Sequence, residues 1–80
     1  MPPARKPPYN QKHETRAVRG FLIALRALKV PDAVAVTLAR EAGVHYSRHA
    51  HKGDYKRANE YVSQERAEFL ADQLNVGLMP

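Results

Sequence analysis

Apolar residues at helical spacing, broken by proline and glycine, set the strongest limit on what this 80-residue chain can become. Val18, Phe21, Leu22, Leu25 and Leu28 recur at intervals of three and four, which puts them on one side of a helix over residues 13–29. Arg16, Arg19, Arg26 and Lys29 fall mostly elsewhere on that wheel. Pro31 ends the segment, because the residue before a proline is pushed out of the helical region. Pro31-Asp32 suits the start of a second helix: proline fits a first turn, and aspartate complements the helix dipole. In residues 33–42 the valines weaken helix preference, and Val34, Val36 and Leu38 alternate with period two. A strand over residues 33–38 is therefore the competing reading. The run Leu38-Ala39-Arg40-Glu41-Ala42 favours helix, and Gly43 is the natural residue to end it in the left-handed conformation.

Residues 45–52 follow, then the turn signal Gly53-Asp54 and a short helical turn from Tyr55 to Tyr61. Ser63 caps a last helix and Glu65 places negative charge in its first turn. Ala67, Leu70, Ala71 and Leu74 make its inner stripe, which Asn75 and Gly77 close. These segments predict an all-α, compact domain of four to five helices over residues 12–80, without sheet. Its expected core is Val18, Leu22, Leu25, Leu38, Ala39, Val44, Leu70, Ala71 and Leu74. Residues 1–11 hold four prolines with Arg5, Lys6 and Tyr9, and predict a flexible, basic, proline-rich arm.

A single domain of this size buries a modest core. There is no cysteine, so neither a disulfide framework nor a thiolate zinc site can staple it. No apolar run is long enough for a membrane span, and no signal-peptide pattern follows the basic N-terminus, so an intracellular, cytoplasmic protein is expected. The net charge is +5, and its distribution says more than its sum. Residues 1–30 set seven Lys and Arg against Glu14 alone, whereas residues 61–80 hold Glu65, Glu68 and Asp72 against Arg66. A basic front and an acidic back suit a chain that turns one face to a polyanion.

Ala39, Gly43 and Val44 have the mutual spacing of a small helix residue, a turn glycine and an apolar plug. With the closing run Leu70-Ala71-Asp72-Gln73-Leu74-Asn75-Val76, they resemble a lambda-repressor-like (Cro-type) helix-turn-helix domain over residues 18–78. The resemblance implies a recognition helix starting at His45, whose first residues lie in the major groove of duplex DNA. His45, Tyr46, Ser47 and Arg48 would then be exposed for readout, with Arg48 on a guanine and Ser47 on a base or phosphate. Lys52, later in the segment, would pass the backbone, and Arg5 and Lys6 in the arm would add phosphate contacts. The match is partial and its recognition segment degenerate. His49 stands where the family has an aliphatic residue facing the core, the stretch before the last helix is longer, and the glutamine common at the start of the recognition helix is missing.

Other chemistry has thinner support. His45 and His49 share a helix face at a metal-ligand spacing, but no third ligand accompanies them, and no metal is expected. Ser47 and His51 are helical neighbours with nothing to orient the histidine, so no catalytic residues are assigned. With no phosphate-binding glycine loop either, neither an enzyme nor a cofactor is expected. Tyr46, Tyr55 and Tyr61 interleave with Arg48, Lys52, Lys56 and Arg57, a mixture that serves nucleic-acid and protein interfaces alike.

The leading expectation is thus a small DNA-binding transcriptional regulator of phage or plasmid type, reading double-stranded DNA as a homodimer. The rival is a small inhibitor encoded by a mobile element, anti-CRISPR-like or otherwise directed at host takeover, that binds a host protein complex. The degenerate recognition segment favours that rival. A third possibility is an RNA-binding protein.

Overall fold

The computed structural model describes residues 9–78, with side chains to residue 75. Among these residues every regular element is helical: α1 (Gln11–Ala27), α2 (Asp32–His51), α3 (Tyr55–Glu60) and α4 (Gln64–Leu78). Three are long, at 17, 20 and 15 residues, and α3 has six. The architecture is three long helices with a short one between the last two, rather than four or five full helices. Residues 33–38 are helical, not a strand. Their inward side chains alternate with the helical period once Ala35 and Ala39 are counted, and burial outweighs the weak strand preference of valine.

The chain enters α1 through Asn10, whose side-chain oxygen accepts the Lys12 N–H at 2.9 Å. That cap starts the helix two residues earlier than the apolar pattern suggests. The helix also ends earlier, at Leu28. The N–H of Lys29 is bonded to the Arg26 carbonyl and that of Val30 to the Leu25 carbonyl, with Lys29 at φ 68°. This is a Schellman ending in which a lysine occupies the left-handed position usually given to glycine. Val30 then turns inward beside Leu25, and Pro31 leads into α2. Arg26 Nε bonds the Asp32 carboxylate at 2.6 Å across this turn. Both groups are solvent-exposed, so the pair contributes little.

α2 runs unbroken through Gly43, which corrects the expected helix end there. Nothing forces the left-handed conformation at that position. What Gly43 provides is space: a Cβ there would sit 3.1 Å from Val18 Cγ2. The glycine lets α1 and α2 pack closely, and that packing offsets its low helix preference. The terminating glycine is Gly53, ten residues later, at φ 81°. Its N–H bonds the Ala50 carbonyl and the Asp54 N–H bonds the His49 carbonyl, the same ending as at Lys29. Asp54 then caps α3 through the Arg57 N–H at 3.0 Å. Ser63 caps α4 through the Arg66 N–H at 3.1 Å, as the sequence predicts.

α1 and α2 form an antiparallel hairpin, and α4 lies against one side of it. The main core joins Phe21 and Leu25 of α1, Val30, Ala35, Ala39 and Ala42, and Ala67 and Ala71 of α4. Val18, Leu22, Leu38, Leu70 and Leu74 pack at its margin, half-buried. Val44, expected as a core plug, is 57% exposed. With no turn at Gly43, Val44 continues the helical winding and points away from the core. A second cluster of Tyr46, Ala50 and Ala58 holds α3 to the end of α2. Tyr9 packs against this cluster and Gln11 is helical, so residues 9–11 do not belong to the arm expected over residues 1–11. Residues 1–8, with Arg5 and Lys6, lie outside the described residues.

Candidate binding groove

A helical hairpin has two long grooves, one on each side. In this chain α4 fills one with Ala67, Leu70, Ala71 and Leu74. The other is an open groove of about 850 Å³. Val18 and Leu22 of α1 and Ala39, Gly43 and Val44 of α2 make its floor. Ala39 and Gly43 lie at the bottom of this floor, buried, and Val44 is its exposed part. Arg19 stands on the α1 rim, and Arg40 and Arg48 stand on the α2 rim. Glu14, Thr15 and Ser47 line the rest.

The cations of this face lack counter-ions. Arg26 is paired with Asp32. The side chains of Lys12, Arg16, Arg19, Arg40 and Arg48 make no ion pair or hydrogen bond among the described residues. Lys12, Arg16 and Arg19 follow one another at successive turns of α1, all exposed. On α4, Glu65, Glu68 and Asp72 are exposed in the same way. The charge asymmetry of the sequence thus becomes two faces of the bundle, one basic and open, one acidic.

The structure divides the residues first singled out for DNA readout. Ser47 and Arg48 reach the groove. His45 does not: it is half-buried and stacks on Tyr61, with ring centroids 4.7 Å apart and planes 12° apart. Tyr46 is only 3% exposed and belongs to the core. Burial, then the neighbouring Tyr55 and Glu14, pushes its phenol above the ordinary tyrosine value. Lys52 is exposed at the C-cap of α2. The expectation of four adjacent exposed residues at a helix N-terminus is corrected, because these residues lie inside a continuous helix. Successive side chains there turn by about 100° and meet different surroundings.

The remaining histidines have structural neighbours. His49, half-buried in the slot compared with an aliphatic residue, also stacks on the Tyr61 ring, at 5.4 Å and 8°. Ser47 Oγ donates to the Tyr9 hydroxyl at 3.1 Å, and the Tyr9 ring meets His51 edge-on at 5.4 Å. Tyr9 thus bridges Ser47 and His51. Among the described residues no group of three or more His, Asp or Glu is placed to hold a metal ion.

Arg19, Arg40, Val18, Leu22, Ala39, Gly43 and Val44 were missed as site residues. The available signal was spacing: Arg40, Val44 and Arg48 recur every four residues beside Ala39 and Gly43. Assigning Gly43 to a turn hid it. No protein-family model matches this sequence, and neither a curated protein nor a solved structure shows significant similarity to it. No helix among the described residues is long and apolar enough to cross a membrane.

Proposed function

We propose that this chain is a small, non-catalytic binding protein whose α1–α2 face takes up an acidic surface of a partner protein. One observation carries the reading: an apolar floor lies between arginines that form no ion pair among the described residues, with Glu14 the one carboxylate in the lining. A phosphate backbone would satisfy the rim but leave Val18, Leu22 and Val44 in contact with a polar chain. A protein surface satisfies both, and arginine beside apolar contact is a usual interface composition. In this reading the chain acts by occupying part of a host complex, as an anti-CRISPR-like or host-takeover inhibitor does.

The second reading is nucleic-acid binding, as a DNA regulator or on RNA, with a homodimer on duplex DNA. The exposed row Lys12, Arg16 and Arg19 favours it. The continuous helix through Gly43 leaves that reading with backbone contacts and no projecting recognition helix. Titration with poly-L-glutamate and with random duplex DNA, each at physiological salt and followed by amide NMR, separates the two. Poly-L-glutamate is expected to shift amides around Arg19, Arg40 and Arg48, and the double variant Arg40→Glu, Arg48→Glu is expected to lose those shifts. Duplex binding near 10⁻⁶ M, the strong end of the roughly 10⁻⁴–10⁻⁶ M non-specific range, combined with no response to poly-L-glutamate, would transfer the function to nucleic acid.

A further inference from the structure

Building on this reading of the face, we infer that the groove receives a single amphipathic helix of another protein, with Asp or Glu on both flanks of its apolar stripe. The open groove has the same two walls as the groove that α4 occupies, so a second helix can dock there as α4 does on the opposite side. Ala39 and Gly43 are themselves buried, Gly43 beneath Val18, so the visitor would meet the exposed Val44 and the half-buried Val18 and Leu22. Helices pack at about 8–10 Å between axes only where the contact side chains are small or interdigitate. From Ala39 to Ser47 the groove follows α2 for about 12 Å, at the ordinary helical rise. That length matches two turns of an incoming helix, with anchors at positions i, i+3 or i+4, and i+7.

The rim sets the charge of the occupant. Arg40 and Arg48 lie eight residues apart on α2, about two turns, and Arg19 faces them from α1. Carboxylates two turns apart on one flank of the visitor, and one on the other flank, would meet all three. A second copy of this chain fits poorly. Groove against groove would set the arginine rims of both copies against each other. The apolar stripe of α4 is already spent inside its own bundle, and outside the groove the large exposed apolar groups among the described residues are Phe69 on α4 and Ile23 on α1, on different helices and not in one stripe.

The test uses the full chain and three synthetic helical peptides, read by fluorescence anisotropy at physiological salt. The first carries a leucine stripe flanked by glutamates. The second has the same composition in scrambled order. The third has lysine in place of glutamate. The first is expected to bind, with the scrambled and lysine peptides weaker by roughly tenfold or more. Val44→Glu and Arg40→Glu, both at exposed positions, are each expected to weaken the first peptide by a similar factor, while circular dichroism shows the fold retained. Equal binding of the scrambled peptide would overturn the helix inference and leave the acidic-partner reading standing. Failure of all three peptides together with poly-L-glutamate would overturn both. Sedimentation showing a dimer that Val44→Glu dissociates would give the groove to a second copy and overturn the inference.

Discussion

The two sides of the α1–α2 hairpin are built from the same helices and end in different states. One side carries Phe21, Leu25, Ala35 and Ala42 and is closed by α4. The other carries Val18, Leu22, Gly43 and Val44 and stays open under a rim of arginines. Both have apolar residues at helical spacing, so periodicity alone does not separate them. The residues next to the stripe do. On the closed side α4 brings its own apolar stripe. On the open side Arg19, Arg40 and Arg48 flank the stripe. The largest fully buried side chains lie on the closed side, and the open side keeps Val44 exposed.

Substitution on the two sides should separate these roles most clearly. Leu25 has no exposed surface. Leu25→Ala is expected to cost ~2–5 kcal/mol in denaturant unfolding, through lost transfer energy and the cavity left behind. Val44→Ala is expected to stay within about 0.5 kcal/mol, as for an ordinary surface position. If Val44→Ala matched Leu25→Ala, Val44 would be the core plug that a turn at Gly43 requires, and the open groove would not exist.

The glycines give the next largest effect. Gly53 sits in the left-handed region, so Gly53→Ala is expected to cost about 1–2 kcal/mol. Gly43 is in a helix interior, where alanine is favoured by about 1 kcal/mol. Its new Cβ would press on Val18 Cγ2 at 3.1 Å, but Val18 borders the open groove and has space to yield. Gly43→Ala is therefore expected to be close to neutral in thermal or denaturant unfolding. A loss equal to that at Gly53 would place Gly43 in a turn after all.

These two glycines also show how far the sequence could be read. The all-helical class, the break at Pro31, the cap at Ser63 and the inner stripe of α4 follow from local chemistry, and all were legible. The turn at Gly53-Asp54 was legible as well, whereas the helix end expected at Gly43 is not there: α2 continues through it, and Gly43 packs against Val18. Once Gly43 is taken as a turn, Val44 moves inward and Tyr46 outward, and the groove disappears from view. Arg48 and Ser47 were reached for a different reason from the one that places them in the site. Arg19 and Arg40 were legible only as charges, because their relation to each other depends on how α1 crosses α2.

Lys29 offers a smaller effect at the turn that joins the hairpin. It holds the left-handed position of a helix ending that Gly53 shows in its usual form. Lys29→Gly is expected to stabilise the fold by about 1 kcal/mol, by relieving the steric cost of a Cβ there. The lysine side chain is exposed, so little packing is lost. The gain should appear as a raised thermal midpoint, with peptide binding at the groove unchanged. An unaltered or lower midpoint would mean that the lysine, and not the backbone geometry, stabilises this turn.

Tyr46 provides the smallest and most local test, because its neighbour in sequence lies in the groove. Ser47 lines the open side, while Tyr46 faces the second core cluster with Ala50 and Ala58. Burial raises the Tyr46 phenol, and the nearby Tyr55 and Glu14 push the same way, since each disfavours a phenolate beside it. The folded chain therefore binds this proton more tightly than the unfolded chain does. The stability that Tyr46 contributes is fully present below the unfolded tyrosine value of about 10, and is lost as pH rises through its higher folded-state value. Absorbance near the phenolate band should show one of the four tyrosines ionising late, and Tyr46→Phe should remove that late component. Unfolding experiments across the same alkaline range should show the variant losing less stability than the parent. Late ionisation that persists in Tyr46→Phe would put the buried phenol elsewhere and place residue 46 on the open side with Ser47.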